Sequence, residues 1–119
     1  MIKLASEYDE CVTFCDWLDI KKIPYFHISN EGKRSKFLGY RLKRIGLKSG
    51  IPDYCIPIRS LSYNSLYIEM KPVEGGIVSA NQQFWINKLT DLGHFATVCN
   101  GSDHAISVTE LYLKYCRLD

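Results

Sequence analysis

A chain of 119 residues that is 46% apolar and 24% charged is one globular domain, not a disordered segment. No apolar run approaches the roughly 20 residues of a membrane helix, and Met1 to Glu7 lacks a signal-peptide core, which predicts an intracellular protein that avoids membranes. The five cysteines (Cys11, Cys15, Cys55, Cys99, Cys116) are odd in number and form no CxxC pair, which argues for reduced thiols and against disulfides or structural zinc.

Ser6, with Asp9 three residues on, reads as a capping box opening a helix to about Lys22. Cys11, Phe14, Cys15 and Leu18 recur at helical spacing, and Glu7 falls one turn earlier on the same stripe. That glutamate is either a helix-start acid favoured by the dipole or an acid aimed into a site. Cys11 and Cys15 read as two small buried side chains. After Pro24, the run Tyr25 to Ser29 alternates like a strand, and Asn30-Glu31-Gly32-Lys33 reads as a turn. His27 in that strand is a packed or substrate-contacting side chain rather than a general base.

The net charge of +2 hides an uneven layout. Lys33, Arg34, Lys36, Arg41, Lys43, Arg44 and Lys48 form a stretch of seven basic residues with no acid, interrupted by Phe37 and Tyr40. A short basic helix is predicted from about Ser35 to Leu47, leading through Gly50-Ile51-Pro52 to Asp53. Two strands follow, roughly Asp53 to Ile58 and Leu66 to Lys71, joined by a polar connection near Ser60 to Ser65. Pro72 stops the second strand, and Glu74-Gly75-Gly76 is a loop. Ser79 caps a helix carrying Gln82, Trp85, Ile86 and Leu89 that ends near Gly93, with Trp85 expected in the core. Phe95 to Cys99 is a fourth strand. A last helix runs from about Asp103 to Cys116 and offers Ala105, Ile106, Val108, Leu111 and Leu113 for packing. The order αβ(α)ββαβα predicts an α/β (α+β) domain over residues 1–119, a mixed sheet flanked by helices.

In a strand, Glu69 and Lys71 point the same way and Met70 points opposite. If the two central strands pair antiparallel, Asp53 reaches the end of the sheet where Glu69 and Lys71 project. Two hard carboxylate ligands beside an ammonium suit metal-dependent phosphodiester hydrolysis: Mg²⁺ takes carboxylate oxygen and keeps water, and the lysine offsets charge growing on a phosphate. Beside such a site, the basic stretch becomes a surface for a nucleic-acid backbone.

Glu7, Phe26-His27-Ile28-Ser29-Asn30-Glu31, Gly46 through Asp53, Ile68-Glu69-Met70-Lys71 and Ser79-x-x-Gln82-x-x-Trp85 together resemble a stand-alone VRR-NUC domain. This family lies in the PD-(D/E)XK nuclease superfamily and is found in phages and eukaryotic repair nucleases. The resemblance implies a restriction-endonuclease-like core. It implies that Asp53 and Glu69 hold Mg²⁺ or Mn²⁺ with the Met70 carbonyl, that Lys71 orients water or stabilises the transition state, and that Glu7 completes the acidic cluster. Gln82 is implied to sit near Lys71 or the scissile phosphate. The implied activity is a structure-selective endodeoxyribonuclease of the Holliday-junction resolvase type, acting on branched DNA as a homodimer in a bacterial or phage-infected cell. The alternatives are a monomeric flap, nick or fork nuclease, or a non-catalytic DNA-binding subunit. Either Leu66-Tyr67-Ile68 or the Tyr112-Leu113-Tyr115 end of the last helix is expected to supply a dimer interface.

Overall fold

The computed structural model describes residues 4–28 and 35–116. The expected turn at Asn30 to Lys33, and the basic residues Lys33 and Arg34, lie outside them. Four helices and four strands follow in the order α1 (Glu7–Ile20), β1 (Phe26–His27), α2 (Lys36–Arg44), β2 (Tyr54–Ile56), β3 (Leu66–Lys71), α3 (Ala80–Asp91), β4 (Phe95–Asn100) and α4 (Ser102–Leu113). The sheet runs β1-β2-β3-β4. The first two pairings are antiparallel, and β3 pairs β4 in parallel across the α3 crossover. No described helix is long and apolar enough to cross a membrane.

The helix starts follow from their caps. Ser6 and Asp9 close a reciprocal box at α1, and Ser79 and Gln82 close another at α3. Helix α4 begins after Gly101 and has no side-chain cap of its own. Its first backbone donor is instead satisfied from α1: Glu10 Oε1 accepts from the Ser102 backbone N–H at 2.9 Å, and also from the Ser102 hydroxyl at 3.2 Å. Nothing in the sequence pairs residues so far apart.

Leu66, Ile68 and Met70 are wholly buried and pack with Phe14 and Leu18 of α1 and Ala105 and Tyr112 of α4. The even-numbered side chains of β3 therefore face the α1–α4 layer, which sends Tyr67, Glu69 and Lys71 to the opposite face. Because β3 lies between two strands, Leu66-Tyr67-Ile68 is no exposed interface segment. Tyr112 of the second expected interface is also buried, although Tyr115 is 50% exposed. On α4 the expected packing stripe shifts as well: Thr109 and Tyr112 are buried, whereas Leu111 is 64% exposed. Thr109 enters the core because its hydroxyl donates to the Ala105 carbonyl at 2.8 Å, which removes the cost of burying it. Trp85 is half-buried and meets exposed Phe84 edge-on, outside the central core cluster.

Candidate active site

Strand pairing assembles the site. Tyr54 stands opposite Ile68, so the same register carried one residue further sets Asp53 opposite Glu69. Asp53 lies at the bend before β2, where its carbonyl accepts from the Ile28 N–H at 2.7 Å and extends the β1–β2 pairing. Its carboxylate turns the other way, and Oδ2 accepts from the Met70 backbone N–H at 2.7 Å. A residue's N–H and C=O point to the same strand edge, so the Met70 carbonyl faces the Asp53 side as well. Lys71 alternates to the β4 edge, where its carbonyl accepts from Gly101 at 2.8 Å.

Lys71 Nζ lies 3.9 Å from Glu69 Oε2 and donates to Gln82 Oε1 at 3.1 Å. The same amide oxygen accepts from the Ser79 N–H at 2.9 Å, closing the α3 cap. Gln82 thus ties the lysine to the start of a helix. Asp53, Glu69, Lys71 and Gln82 are all less than a tenth exposed, at 6%, 2%, 8% and 8%. Two buried acids against one buried ammonium leave a net negative site, and burial strengthens the field around it.

The loop before Asp53 is held by Gly50. Its φ of +90° suits glycine, and an added Cβ would come within 2.5 Å of the Asn81 carbonyl carbon and 2.7 Å of the Gln82 nitrogen. The backbone leading to Asp53 therefore rests directly on the first turn of α3, the turn that carries Gln82.

A cleft of about 540 Å³ opens between α1 and the β1–β2 end of the sheet. Asp53, Glu7, Asp16, His27, Cys11 and Tyr54 are among its walls; Glu69 and Lys71 are not, and Asp53 links them to it. The sequence-level stripe on α1 divides here. Phe14 and Leu18 go to the core with Glu10 one turn earlier, while Glu7, Cys11 and Cys15 turn to the cleft, the cysteines half-buried rather than buried. Burial is the main cause that lifts the Cys11 thiol to about 11, a Tyr54 bond opposes it, and the negative charges of Asp53 and Glu7 add to the rise. Cys11 is therefore a neutral thiol lining an acidic cleft, not a nucleophile. Tyr54 is likewise pushed well above the ordinary phenol range by burial and by its bonds to Cys15 and Cys11, the former at 3.4 Å.

His27 is exposed, with its ring 5.2 Å from that of Tyr54, so it borders the cleft instead of packing in the interior. Lys36, Arg41, Lys43, Arg44 and Lys48 are all exposed. Sequence reasoning missed Glu10, the helix-capping acid, and the cleft-lining roles of Cys11 and Tyr54.

The sequence model of the VRR-NUC domain matches residues 6–103. The chain belongs to the VRR-NUC family. A solved structure described as a VRR_NUC domain protein superposes with a TM-score of 0.85 at 27% identity, covering 98% of this chain and 95% of that one. No curated protein matches the chain. Membership gives the chain a nuclease domain of the PD-(D/E)XK superfamily, and the mixed sheet with its flanking helices is the fold of that neighbour.

The family implies a divalent metal. Among the described residues, no three His, Cys, Asp or Glu side chains form a metal-binding group. Mg²⁺ needs no such set: it keeps several waters and is held through one or two carboxylates. The buried Asp53–Glu69 pair with the Met70 carbonyl fits that demand, and the net negative charge favours a cation there.

Proposed function

We propose that the protein is a divalent-metal-dependent endodeoxyribonuclease that selects branched DNA, of the Holliday-junction resolvase type, and acts as a homodimer. The observation that carries the chemistry is the convergence of Asp53, Glu69 and Lys71 at one end of the sheet, with Lys71 held by Gln82. Asp53, Glu69 and the Met70 carbonyl would hold Mg²⁺ or Mn²⁺, which supplies a Lewis acid and a water acidic enough to attack near neutral pH. Lys71, restrained by Gln82 and Glu69, presents a fixed positive charge to the phosphate as negative charge grows on it. Glu7 adds charge across the cleft from Asp53 and is positioned to hold water there.

The two-fold character of a four-way junction suits two identical sites. Of the two segments expected to supply an interface, the C-terminal one keeps an exposed apolar surface: a groove of about 290 Å³ beside Leu61, Phe95, Leu111 and Tyr115. We assign it to the second copy.

The test is to incubate the protein with labelled junction, flap, duplex and single-stranded DNA, with Mg²⁺, Mn²⁺ or a chelator. Metal-dependent paired nicks placed symmetrically across a junction support the reading. Single nicks at flaps or forks from a protein that sediments as a monomer support the monomeric alternative. DNA binding without any cleavage removes the enzymatic reading.

A further inference from the structure

Helix α2 packs against no other described helix or strand. An amphipathic helix ordinarily buries its apolar stripe against a neighbour. Here Phe37 is 70% exposed, Tyr40 64% and Ile45 82%, and no residue of the helix is buried. Solvent-facing rings on a basic helix mark a contact surface.

The arrangement on that helix is specific. Phe37, Tyr40, Arg41 and Arg44 fall at helical spacing on one face, so two aromatic rings and two guanidinium groups share it. The Arg41 guanidinium already lies over the Phe37 ring, 5.6 Å from its centroid. From Ser35 to Pro52 there is no acidic residue, so the segment carries uncompensated positive charge that complements an anionic ligand.

The helix lies on an excursion whose two ends meet at the sheet. The chain leaves the sheet after Ile28 and returns at Asp53, and these two residues are hydrogen-bonded to each other. The excursion that carries α2 therefore starts and ends beside the cleft that Asp53 lines.

We propose that α2 is a base-stacking arm, whose Phe37–Tyr40–Arg41–Arg44 face holds unpaired or unstacked nucleobases of branched DNA beside the site. The proposal rests on the nuclease reading above and names the feature of the substrate that is read. Cations alone suffice for phosphate, and an aromatic ring gains little there. In an intact duplex the flat faces of the bases are stacked on one another. Rings and guanidinium planes on one exposed stripe match bases whose faces are open, as at junctions, flaps and single strands. Lys36, Lys43 and Lys48 supply the backbone contacts around them.

Binding is measured by fluorescence anisotropy with the Lys71→Ala protein, so that DNA is held while cleavage is slowed. The Phe37→Ala/Tyr40→Ala variant of that protein loses affinity for junction and flap by about tenfold or more, against no more than about twofold for blunt duplex. A 2-aminopurine placed at the branch point is quenched by the parent and stays bright with the variant. Phe37→Leu/Tyr40→Leu keeps the apolar area but not the aromatic face, and shows the same selective loss. Unchanged binding, or an equal loss on all three DNAs, overturns the proposal. So does a change in sedimentation or rescue by the leucine pair, either of which makes α2 a protein-docking surface. Cleavage with Lys71 intact is scored separately: a protein that cuts DNA without a ring effect loses only this proposal, and one that stacks bases without cutting loses only the nuclease reading.

Discussion

Asp53 Oδ2 and the Met70 backbone N–H are joined by a 2.7 Å hydrogen bond, so the acid that faces the cleft also ties β2 to β3. Its charge and its hydrogen bond can be separated by mutation. Asp53→Asn keeps an oxygen acceptor for Met70 and should leave thermal stability near that of the parent while abolishing Mg²⁺-dependent cleavage. Asp53→Ala strands a buried N–H and should cost a further ~1–3 kcal/mol in denaturant unfolding. Equal stability of the two variants would show that the bond to Met70 contributes nothing.

Lys71 and Gln82 form the second coupled pair. Lys71→Ala should lower the cleavage rate by ~10²-fold or more while DNA affinity is retained. Gln82 serves both the lysine and the α3 cap, whereas Ser79 serves the cap alone. Each of Gln82→Ala and Ser79→Ala should cost roughly 1 kcal/mol of stability. Only Gln82→Ala should also slow cleavage beyond what its stability loss explains. Equal rates for the two would reduce Gln82 to a helix cap.

Gly50 tests the link between the loop and the helix. Its backbone has φ +90° and touches the backbone of Asn81 and Gln82, neither of which can move aside as a flexible side-chain tip could. Gly50→Ala should destabilise the fold by roughly 1–3 kcal/mol and lower cleavage, because both Asp53 and Gln82 are displaced. An alanine protein with parental melting temperature and rate would show that the loop does not rest on α3 as placed.

How much of this was legible from sequence depends on whether the signal was local. The caps at Ser6 and Ser79, the alternation through Ile68-Glu69-Met70-Lys71 and the antiparallel pairing that brings Asp53 to Glu69 are short-range patterns, and the structure carries them. The contact of Glu10 with Ser102 spans 92 residues, and no local pattern announces it. Leu66-Tyr67-Ile68 reads equally well as an exposed or a buried strand until its neighbours are known. β4 on the far side of β3 decides the matter. The α1 stripe was legible as apolar but not as split, because which turn faces the core and which faces the cleft depends on where the sheet ends.

The exposed cations should be visible in salt dependence. Removing Lys36, Lys43 and Lys48 should weaken binding to every DNA sequence, with the slope of log affinity against log salt falling by about 0.9 per lost phosphate contact. If all three touch phosphate, the slope should drop by about 2.7. An unaltered slope in the triple variant would place the backbone contacts on another surface.

Burial of the thiols gives the protein an alkaline limit. Cys11 and Cys99 have an ordinary value of 9.0, and burial pushes them to about 11 and about 12 in the fold; Cys55 is raised for the same main cause. Between the ordinary and the raised values, the unfolded chain has released protons that the folded protein still holds. Stability therefore falls as pH rises. The contribution is present in full below about pH 9 and is lost as pH climbs through the raised values. Buried Tyr112, pushed up to about 12, acts in the same direction. Urea midpoints measured from neutral to strongly alkaline pH should decline across this window. They should decline less steeply in Cys99→Ala, which begins less stable through the cavity it leaves but has one fewer group to ionise. A midpoint that stays level or rises over that range would mean these thiols are reached by water in the folded protein.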